Sequence, residues 1–180
     1  MARILLLTGA PGVGKTTLMV RLVAALGDRS LGGFTTEEMR QGAHRVGFRI
    51  APHCGRERIM AHVDRGGAPR VGRYGVDVQA IDRAAQELLA LDPQIEIYLV
   101  DEIGKMECHS DEFVRHMRAL FDSEKTIVAT LGHNPHGFMA AVRHRSDAQR
   151  WEVTRTNRET MVERVLAWLR TTPARNPTGR

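Results

Sequence analysis

The sequence has few cysteines and no long apolar run, and each shortage excludes a class of protein. Cys54 and Cys108 form no CxxC pair, so they offer no disulfide framework, although a single disulfide between them stays open. The eight histidines make no four-ligand zinc spacing with them. No apolar run approaches the roughly 20 residues that span a bilayer, and Ile4 to Leu7 is too short for a signal peptide. We therefore expect a cytoplasmic protein without a membrane segment.

Lysine is scarce as well. Of the 26 basic residues only three are lysines, namely Lys15, Lys105 and Lys125. In a chain that prefers arginine so strongly, a retained lysine indicates a place where a compact ammonium fits and a planar guanidinium does not.

The order of apolar patterns predicts one α/β domain over residues 1–170. Short apolar runs such as Ile95 to Val100 and Thr126 to Leu131 read as buried strands, and they alternate with helical periods. This alternation predicts a mainly parallel, Rossmann-like sheet with helices on both faces. Residues 31–76 instead show short alternating runs, which predict an inserted antiparallel β-hairpin region. We expect a flexible tail at 171–180 and a monomer, because no sustained exposed apolar period remains.

A phosphate-binding loop follows the first strand. The residues match G-x-x-x-x-G-K-T between a predicted strand and a predicted helix, which is the context that distinguishes this loop from an ordinary glycine turn. Its glycines let backbone N–H groups point at phosphate oxygens, while Lys15 reaches the β- and γ-phosphates and Thr16 offers a hydroxyl to Mg²⁺. The predicted nucleotide-binding residues here are Gly9, Ala10, Pro11, Gly12, Val13, Gly14, Lys15, Thr16 and Thr17.

Two adjacent carboxylates end another apolar strand. Ligands of open α/β sheets bind at the carboxyl ends of the strands, so Asp101 and Glu102 should face the same crevice as the phosphate loop. We predict that Asp101, with Thr16, holds Mg²⁺ and that Glu102 polarises the attacking water. The alternative is a solvated Asp-Glu turn.

The motifs together resemble a known family. The phosphate loop, Gly33-Phe-Thr-Thr-Glu-Glu38, Val71-Gly-Arg-Tyr74, Val100-Asp-Glu-Ile-Gly-Lys-Met-Glu107 and Thr156-Asn-Arg158 are similar, in this order, to motifs of the cancer-related nucleoside-triphosphatase family. The resemblance implies a P-loop NTPase that slowly hydrolyses ATP, GTP and other nucleoside triphosphates to the diphosphate and phosphate. It also implies that a second nucleotide-binding segment runs through Leu99, Val100, Asp101, Glu102, Ile103, Gly104, Lys105 and Met106.

Two arginine-bearing segments have competing interpretations. Eight arginines and two acidic residues lie between Arg40 and Arg73, where Arg40 and Arg73 are candidates for an internal arginine finger or ordinary solvated hairpin residues. Asn157 and Arg158 are candidates for contact with the base, and an arginine stacked on a base would tolerate several bases. Thr156 and Glu159 read equally well as a helix capping box, which is a purely structural role.

Two other functions stay open. The same loop serves nucleotide and small-molecule kinases, which need an acceptor pocket. A nucleotide-dependent binding module for RNA or protein would use the basic segment, but outside that segment the chain has almost no net charge, so we expect no nucleic-acid partner.

Overall fold

Nine strands form one sheet in the computed structural model, which describes residues 3–53, 55–67 and 69–172. The strand order across the sheet is β5-β6-β4-β3-β2-β7-β8-β1-β9. The strands are β1 (Ile4–Thr8), β2 (Leu31–Gln41), β3 (His44–Pro52), β4 (Arg58–His62), β5 (Arg70–Val71), β6 (Tyr74–Val76), β7 (Ile97–Ile103), β8 (Thr126–Leu131) and β9 (Ala148–Glu152).

One half of the sheet is parallel, and it brings the C-terminal ends of strands β1 and β7 to the same edge. Strand β8 pairs with β1 on one side and with β7 on the other, and β9 and β2 extend the parallel set outward. Because parallel strands end at the same edge, the loop after β1 and the acidic residues of β7 flank the end of β8.

The other half is antiparallel and shares β2 with the parallel half. Residues from Leu31 to Phe34 pair with β7, whereas the stretch from Phe34 to Gln41 pairs with β3. Gly33 is required at this junction: its φ is 97°, and a Cβ there would stand 2.0 Å from the carbonyl oxygen of Leu99. The predicted hairpin region at 31–76 is therefore a continuation of the central sheet and makes it mixed.

Helices cover both faces of the sheet, as predicted. In β1, Leu5 and Leu7 pack with one group of helices and Ile4 and Leu6 with the other, as the alternation of a strand requires. The first group consists of α1 (Lys15–Leu26) and α5 (Arg158–Thr171), and the second of α2 (Val78–Leu88) and α3 (Asp111–Phe121). A short helix α4 (Phe138–Arg143) and a 3₁₀ turn (Glu107–His109) complete the elements.

The element boundaries differ from the predictions in three places. Strand β7 continues to Ile103, so Asp101 and Glu102 lie inside it, at an irregularity where the pairing with β8 passes from Val100 directly to Ile103. The sequence pattern predicts a strand over residues 151–154, whereas β9 runs from Ala148 to Glu152. Helix α5 includes Thr171, and residues 173–180 of the predicted tail lie outside the described residues. No described helix is long and apolar enough to cross a membrane.

Lys125 shows why one of the scarce lysines is kept. Its ammonium donates to the carbonyl oxygens of Asp92 at 2.6 Å, Ile95 at 2.7 Å and Pro93 at 3.4 Å, and so ties the segment before β7 to the start of β8. Three convergent carbonyls suit the three donors of an ammonium and not the planar fork of a guanidinium.

We expect Lys125→Met to lower the free energy of unfolding by about 1–3 kcal/mol, because hydrogen bonds to a charged group are lost and carbonyls are left unpaired. Urea unfolding measures this change. The same substitution at the exposed Lys105 is the control and should cost much less. Equal stabilities of the two variants would show that the three carbonyl contacts contribute nothing.

Candidate active site

The phosphate loop has the curled backbone that its sequence predicts. Gly9, Gly12 and Gly14 have φ values of 150°, 73° and 106°, and Gly14 is the N-cap of α1. A Cβ on Gly9 would stand 2.5 Å from the carbonyl oxygen of Val153, so glycine is required for the close approach of this loop to the chain after β9. Residues 9–16 are therefore curled and not extended.

Most amides of the loop are free to receive an anion. In the described part of the chain, Val13 donates its amide to the Ala10 carbonyl at 3.3 Å, whereas the amides of Gly12 and Gly14 donate to no backbone carbonyl. The amides of Lys15 and Thr16 belong to the first turn of α1, which lacks intrahelical acceptors. The N-terminal end of a helix and free amides together form an anion-binding site.

Lys15 is held inside this loop. It is only 8% exposed, and its ammonium donates to the carbonyl oxygens of Gly9 at 3.1 Å and Ala10 at 3.4 Å. The nearby carboxyls of Asp101 and Glu102 offset part of this buried charge, and an incoming polyanion would bind the ammonium directly.

Asp101 lies deep in the crevice between β7 and β8. It is 1% exposed, and Thr130 of β8 donates its hydroxyl to Oδ1 at 2.5 Å. Burial raises the pKa of Asp101, while Thr130, the Thr16 hydroxyl, the Thr36 amide and the Lys15 charge act to lower it. These influences place Thr16 and Asp101 in one site, and a Mg²⁺ ion shared between them stays a prediction.

One oxygen of Asp101 lacks a partner. Its Oδ2 atom is buried and accepts no hydrogen bond within the described residues. An unpaired buried carboxylate oxygen is costly, and a hard divalent cation is a partner that would satisfy it. Asp101 and the nearby Thr16 hydroxyl are thus oxygen donors of the kind that fits Mg²⁺.

Glu102 sits in a notch formed by two glycines. Its Oε1 atom lies 2.8 Å from the point where a Cβ on Gly104 would stand and 3.2 Å from the corresponding point on Gly132. Burial and the neighbouring charge of Asp101 raise the pKa of Glu102, and the Lys15 ammonium lowers it. A carboxylate with a raised pKa is a stronger proton acceptor, which is the property that a general base needs.

Glu107 is a third carboxyl at the site, and the sequence reasoning assigned it no role. It is 2% exposed, and its Oε2 atom lies 2.7 Å from the same Cβ position on Gly104 that Glu102 approaches. Burial, with the nearby charge of Glu102, raises the pKa of Glu107 to about 8, so this carboxyl keeps its proton at neutral pH. The sequence signal for its presence at the site is its position at the end of the motif Val100-Asp-Glu-Ile-Gly-Lys-Met-Glu107.

We expect Glu107→Gln to flatten the pH dependence of stability. Between the ordinary pKa of 4.5 and the folded value of about 8, the unfolded chain binds fewer protons at this residue than the folded chain does. The free energy of unfolding therefore falls as the pH rises through this window. In the glutamine variant this fall should be smaller by an amount on the order of a few kcal/mol.

Urea unfolding at about pH 5 and pH 8 measures this difference. Glu163→Gln, on the exposed side of α5, is the matched control and should keep the wild-type decline. An equal decline in Glu107→Gln would contradict a buried, protonated carboxyl.

Part of the predicted second nucleotide-binding segment is core. Leu99, Val100 and Ile103 are fully buried, and the carbonyl oxygen of Leu99 is engaged by Nε2 of His53 at 3.1 Å. The side chain of Leu99 packs in the apolar layer on one face of the sheet and those of Val100 and Ile103 in the layer on the other, and contact of these three residues with the nucleotide stays a prediction. Gly104 lies beside the carboxyls, Lys105 is exposed and Met106 packs against the core.

Arg158 lies beside the phosphate loop and pairs with Glu159 at 3.3 Å, whereas the polar groups of the Asn157 side chain are bonded to the backbone. The Asn157 side chain accepts from the Thr154 amide at 2.8 Å and donates to the Glu152 carbonyl at 2.8 Å, so it locks the loop before α5. The Arg158 Cδ atom lies 3.7 Å from the Cβ position of Gly14, beside a cavity of about 180 Å³ at the start of α1.

The predicted capping box is absent. Helix α5 begins at Arg158, one residue after Asn157, and no side chain caps its first turn. Thr156 instead pairs with the Thr154 hydroxyl at 3.0 Å, and Glu159 forms an ion pair with Arg21 at 2.9 Å.

Comparison with known proteins decides the family. A family model described as NTPase matches residues 4–166. This chain belongs to the NTPase family. It is 38% identical to the nucleoside-triphosphatase THEP1 of Thermotoga maritima over 92% of this chain and 95% of that protein. It is 32% identical to the cancer-related nucleoside-triphosphatase homolog of Mus musculus over 93% of this chain and 96% of that protein.

Two solved structures share the fold of this NTPase. The crystal structure of THEP1 from the hyperthermophile Aquifex aeolicus superposes with a TM-score of 0.77 at 35% identity, covering 92% of this chain and 98% of that one. The solution structure of a human cancer-related nucleoside triphosphatase gives a TM-score of 0.81 at 30% identity, covering 96% and 100%. The α/β fold and the family resemblance inferred from the motifs are confirmed.

The candidate arginine fingers of this NTPase are engaged by the hairpins. Arg40 donates two hydrogen bonds to Glu38, at 2.6 and 3.1 Å. Arg73 donates to the carbonyl of Arg45, and its guanidinium lies 5.3 Å from the ring centroid of Tyr74. Neither guanidinium contacts the phosphate loop among the described residues, which favours the structural interpretation of both.

The basic segment of the NTPase is neutralised locally. Five of its arginines form ion pairs with carboxylates within 4 Å, so little of the excess charge is available to a nucleic-acid backbone. The pairs are Arg40 and Arg45 with Glu38, Arg49 with Glu37 and Glu57, Arg58 with Glu87, and Arg65 with Asp77.

Proposed function

We propose that this protein is a Mg²⁺-dependent nucleoside-triphosphatase that hydrolyses ATP, GTP and other nucleoside triphosphates to the diphosphate and phosphate. The observation that carries the proposal is the juxtaposition of Lys15, Thr16, Asp101 and Glu102 at one edge of the sheet. The Lys15 charge acts on the pKa values of both carboxyls, so a phosphate held by the loop would lie next to them.

Each residue has a distinct task in this proposal. The free loop amides and the Lys15 ammonium bind the β- and γ-phosphates. Thr16 and Asp101 hold Mg²⁺, which when bound neutralises charge on the phosphate oxygens. Glu102 orients a water molecule and accepts its proton while the water oxygen bonds to the γ-phosphorus and the bond to the leaving diphosphate breaks.

Broad base specificity follows from the side chains near the loop. Discrimination between bases needs polar groups that match one base edge. The side-chain amide of Asn157 already bonds to the backbone of the loop before α5. A guanidinium such as that of Arg158 stacks on any base. We infer that the base contributes affinity with little selectivity.

Slow turnover follows from the positions of the arginines. An arginine finger is worth about 10³–10⁵-fold in turnover in related phosphoryl-transfer enzymes. With Arg40 and Arg73 held by the hairpins, the described site has the loop, the lysine and the carboxyls but no such cation.

Phosphate release from ATP, GTP, CTP and UTP, with Mg²⁺ and with EDTA, tests the proposal. We expect release from all four nucleotides at rates within about tenfold of each other, since stacking contributes only about 0.5–2 kcal/mol. We expect loss of release in EDTA. Formation of pyrophosphate in place of phosphate, or turnover that ignores EDTA, would rule the proposal out.

We expect Arg158→Ala to raise KM for all four nucleotides by about 3–30-fold with kcat nearly unchanged, because a stacking contact is lost equally from ground and transition states. Steady-state kinetics measures both constants. Arg170→Ala, at the exposed end of α5, is the control and should leave both as in the wild type. A lower kcat at unchanged KM would assign Arg158 to the chemical step.

A further inference from the structure

A second cavity, which Glu102 does not line, lies near the site. Its volume is about 470 Å³, which is large enough for a small metabolite. Its walls come from the β5–β6 hairpin, the turn after β7 and the chain leading into α4. These segments contribute Arg70, Lys105, His109, His136, Phe138 and Met139 to the lining.

The lining of this cavity combines basic and apolar side chains. Two permanent cations, Arg70 and Lys105, and two imidazoles line it, and none of its lining residues is acidic. Lys105 is one of only three lysines in the chain. Phe138 and Met139 provide an apolar wall. This composition suits a small molecule with an anionic group and a carbon skeleton.

Arg70 is fixed in the wall. Its guanidinium donates to the carbonyl oxygens of Arg65 at 3.2 Å and Arg73 at 2.5 Å, which leaves its remaining N–H groups as donors in a set orientation. A cation that the backbone already holds loses little side-chain freedom when it binds an anion.

Met139 connects the cavity with Glu102. The methyl carbon of Met139 lies 2.9 Å from the Cβ position of Gly132, and Oε1 of Glu102 lies 3.2 Å from the same point. The methionine that lines the cavity is therefore an immediate neighbour of the candidate base. The Lys15 ammonium, which acts on the pKa of the same carboxyl, belongs to the phosphate loop instead.

Phosphoryl transfer requires an attacking group with a defined approach. The attacking and leaving oxygens lie roughly in line, so the attacking group must approach from the side opposite the leaving diphosphate. The loop would bind the diphosphate, and the Met139 wall of the cavity lies near Glu102. A hydroxyl entering from the cavity would reach Glu102 as a water molecule does.

We propose that this basic cavity is a second substrate site, which binds a small phosphorylated hydroxy compound as a phosphoryl acceptor in competition with water. The inference rests on the proposed function for the loop and for Glu102. In the transfer step the acceptor oxygen bonds to the γ-phosphorus and its proton passes to Glu102. The bond to the β-phosphate breaks, and the nucleoside diphosphate leaves with that electron pair.

Calorimetric binding tests the site without any turnover. The protein is saturated with a non-hydrolysable ATP analogue and titrated with glycerol 3-phosphate or ribose 5-phosphate, with glycerol and ribose as neutral controls. We expect the phosphorylated probes alone to bind. The double variant His109→Gln/His136→Gln should weaken that binding at least about tenfold, since two donors to the anion are altered. His44→Gln, at the exposed start of β3, should not.

Transfer of label from γ-³²P-ATP tests the acceptor role. With a bound probe, we expect labelled probe to appear and free phosphate to fall. In the double histidine variant the rate of label transfer should fall at least about tenfold. Its rate of phosphate release from ATP alone should stay within about twofold of the wild-type rate. Binding that does not depend on the two histidines, or binding without transfer, overturns the proposal.

The two proposals fail separately. If ATP is hydrolysed but neither phosphorylated probe binds, the acceptor site is wrong and the hydrolase stands. If ATP is not consumed at all, the proposed function is wrong, and the calorimetric titration still decides whether the cavity binds anions.

Discussion

Glu102→Gln is expected to lower kcat by at least about 10²-fold while the affinity for the nucleotide stays near that of the wild type. A positioned general base contributes about 10²–10⁴-fold, and glutamine keeps the shape of the side chain but cannot accept a proton. The glycine notch made by Gly104 and Gly132 should hold the amide where the carboxylate was. Single-turnover phosphate release, with calorimetry for affinity, measures the two quantities.

The control separates the loss of a base from a general change of charge. Glu112→Gln removes one carboxylate from α3, and this change should leave kcat unchanged. Glu112 lies outside the loop and pairs with Arg115 at a distance of 2.5 Å. Removing a negative charge from the crevice would even favour phosphate binding. If Glu102→Gln turns over like the wild type, Glu102 is not the base and the attacking water is oriented by something else.

The features that can be predicted from the sequence are those with local causes. The phosphate loop depends on glycines at fixed spacing between a strand and a helix, so its curled backbone follows from the motif alone. The alternation of strands and helices likewise determines a sheet covered on both faces. Adjacent acids at the end of β7 reach the loop because β7 and β1 flank β8 in a parallel array.

The features that cannot be predicted depend on contacts between distant segments. Glu107 is buried because the 3₁₀ turn folds its carboxyl back towards Gly104, and nothing in its immediate neighbours indicates this. Thr130 meets Asp101 only through the pairing of β8 with β7. The basic cavity combines three segments that are far apart in the chain.

Asn157 and Arg73 are residues for which the sequence suggests a functional contact that the fold does not favour. Both have the residue type for a functional contact, but the structure gives their polar groups other partners. Asn157 is held by the backbone groups of Glu152 and Thr154, and Arg73 by a carbonyl of β3. A motif names residues that are able to act, whereas the partners that compete for them become visible only in the fold.

Lys15→Ala is expected to weaken nucleotide binding by at least about 100-fold, which corresponds to about 2.7 kcal/mol. The ammonium is the one cation inside the loop among the described residues, and its buried position means that its attraction to the β- and γ-phosphates is little screened by water. In the free protein it bonds only to the Gly9 and Ala10 carbonyls, contacts that a triphosphate would outcompete.

Stability distinguishes this loss from unfolding. Burial of the Lys15 charge costs free energy, and its attraction to the Asp101 and Glu102 carboxyls offsets part of that cost, so the alanine variant of the nucleotide-free protein should unfold near the temperature of the wild type. The nucleotide-dependent rise in melting temperature should disappear, because a ligand stabilises only the state that binds it. Lys15→Arg should behave like the alanine variant in calorimetry, because a planar fork does not fit a loop built around an ammonium. Wild-type affinity in Lys15→Ala would mean that residues 9–16 do not bind the triphosphate.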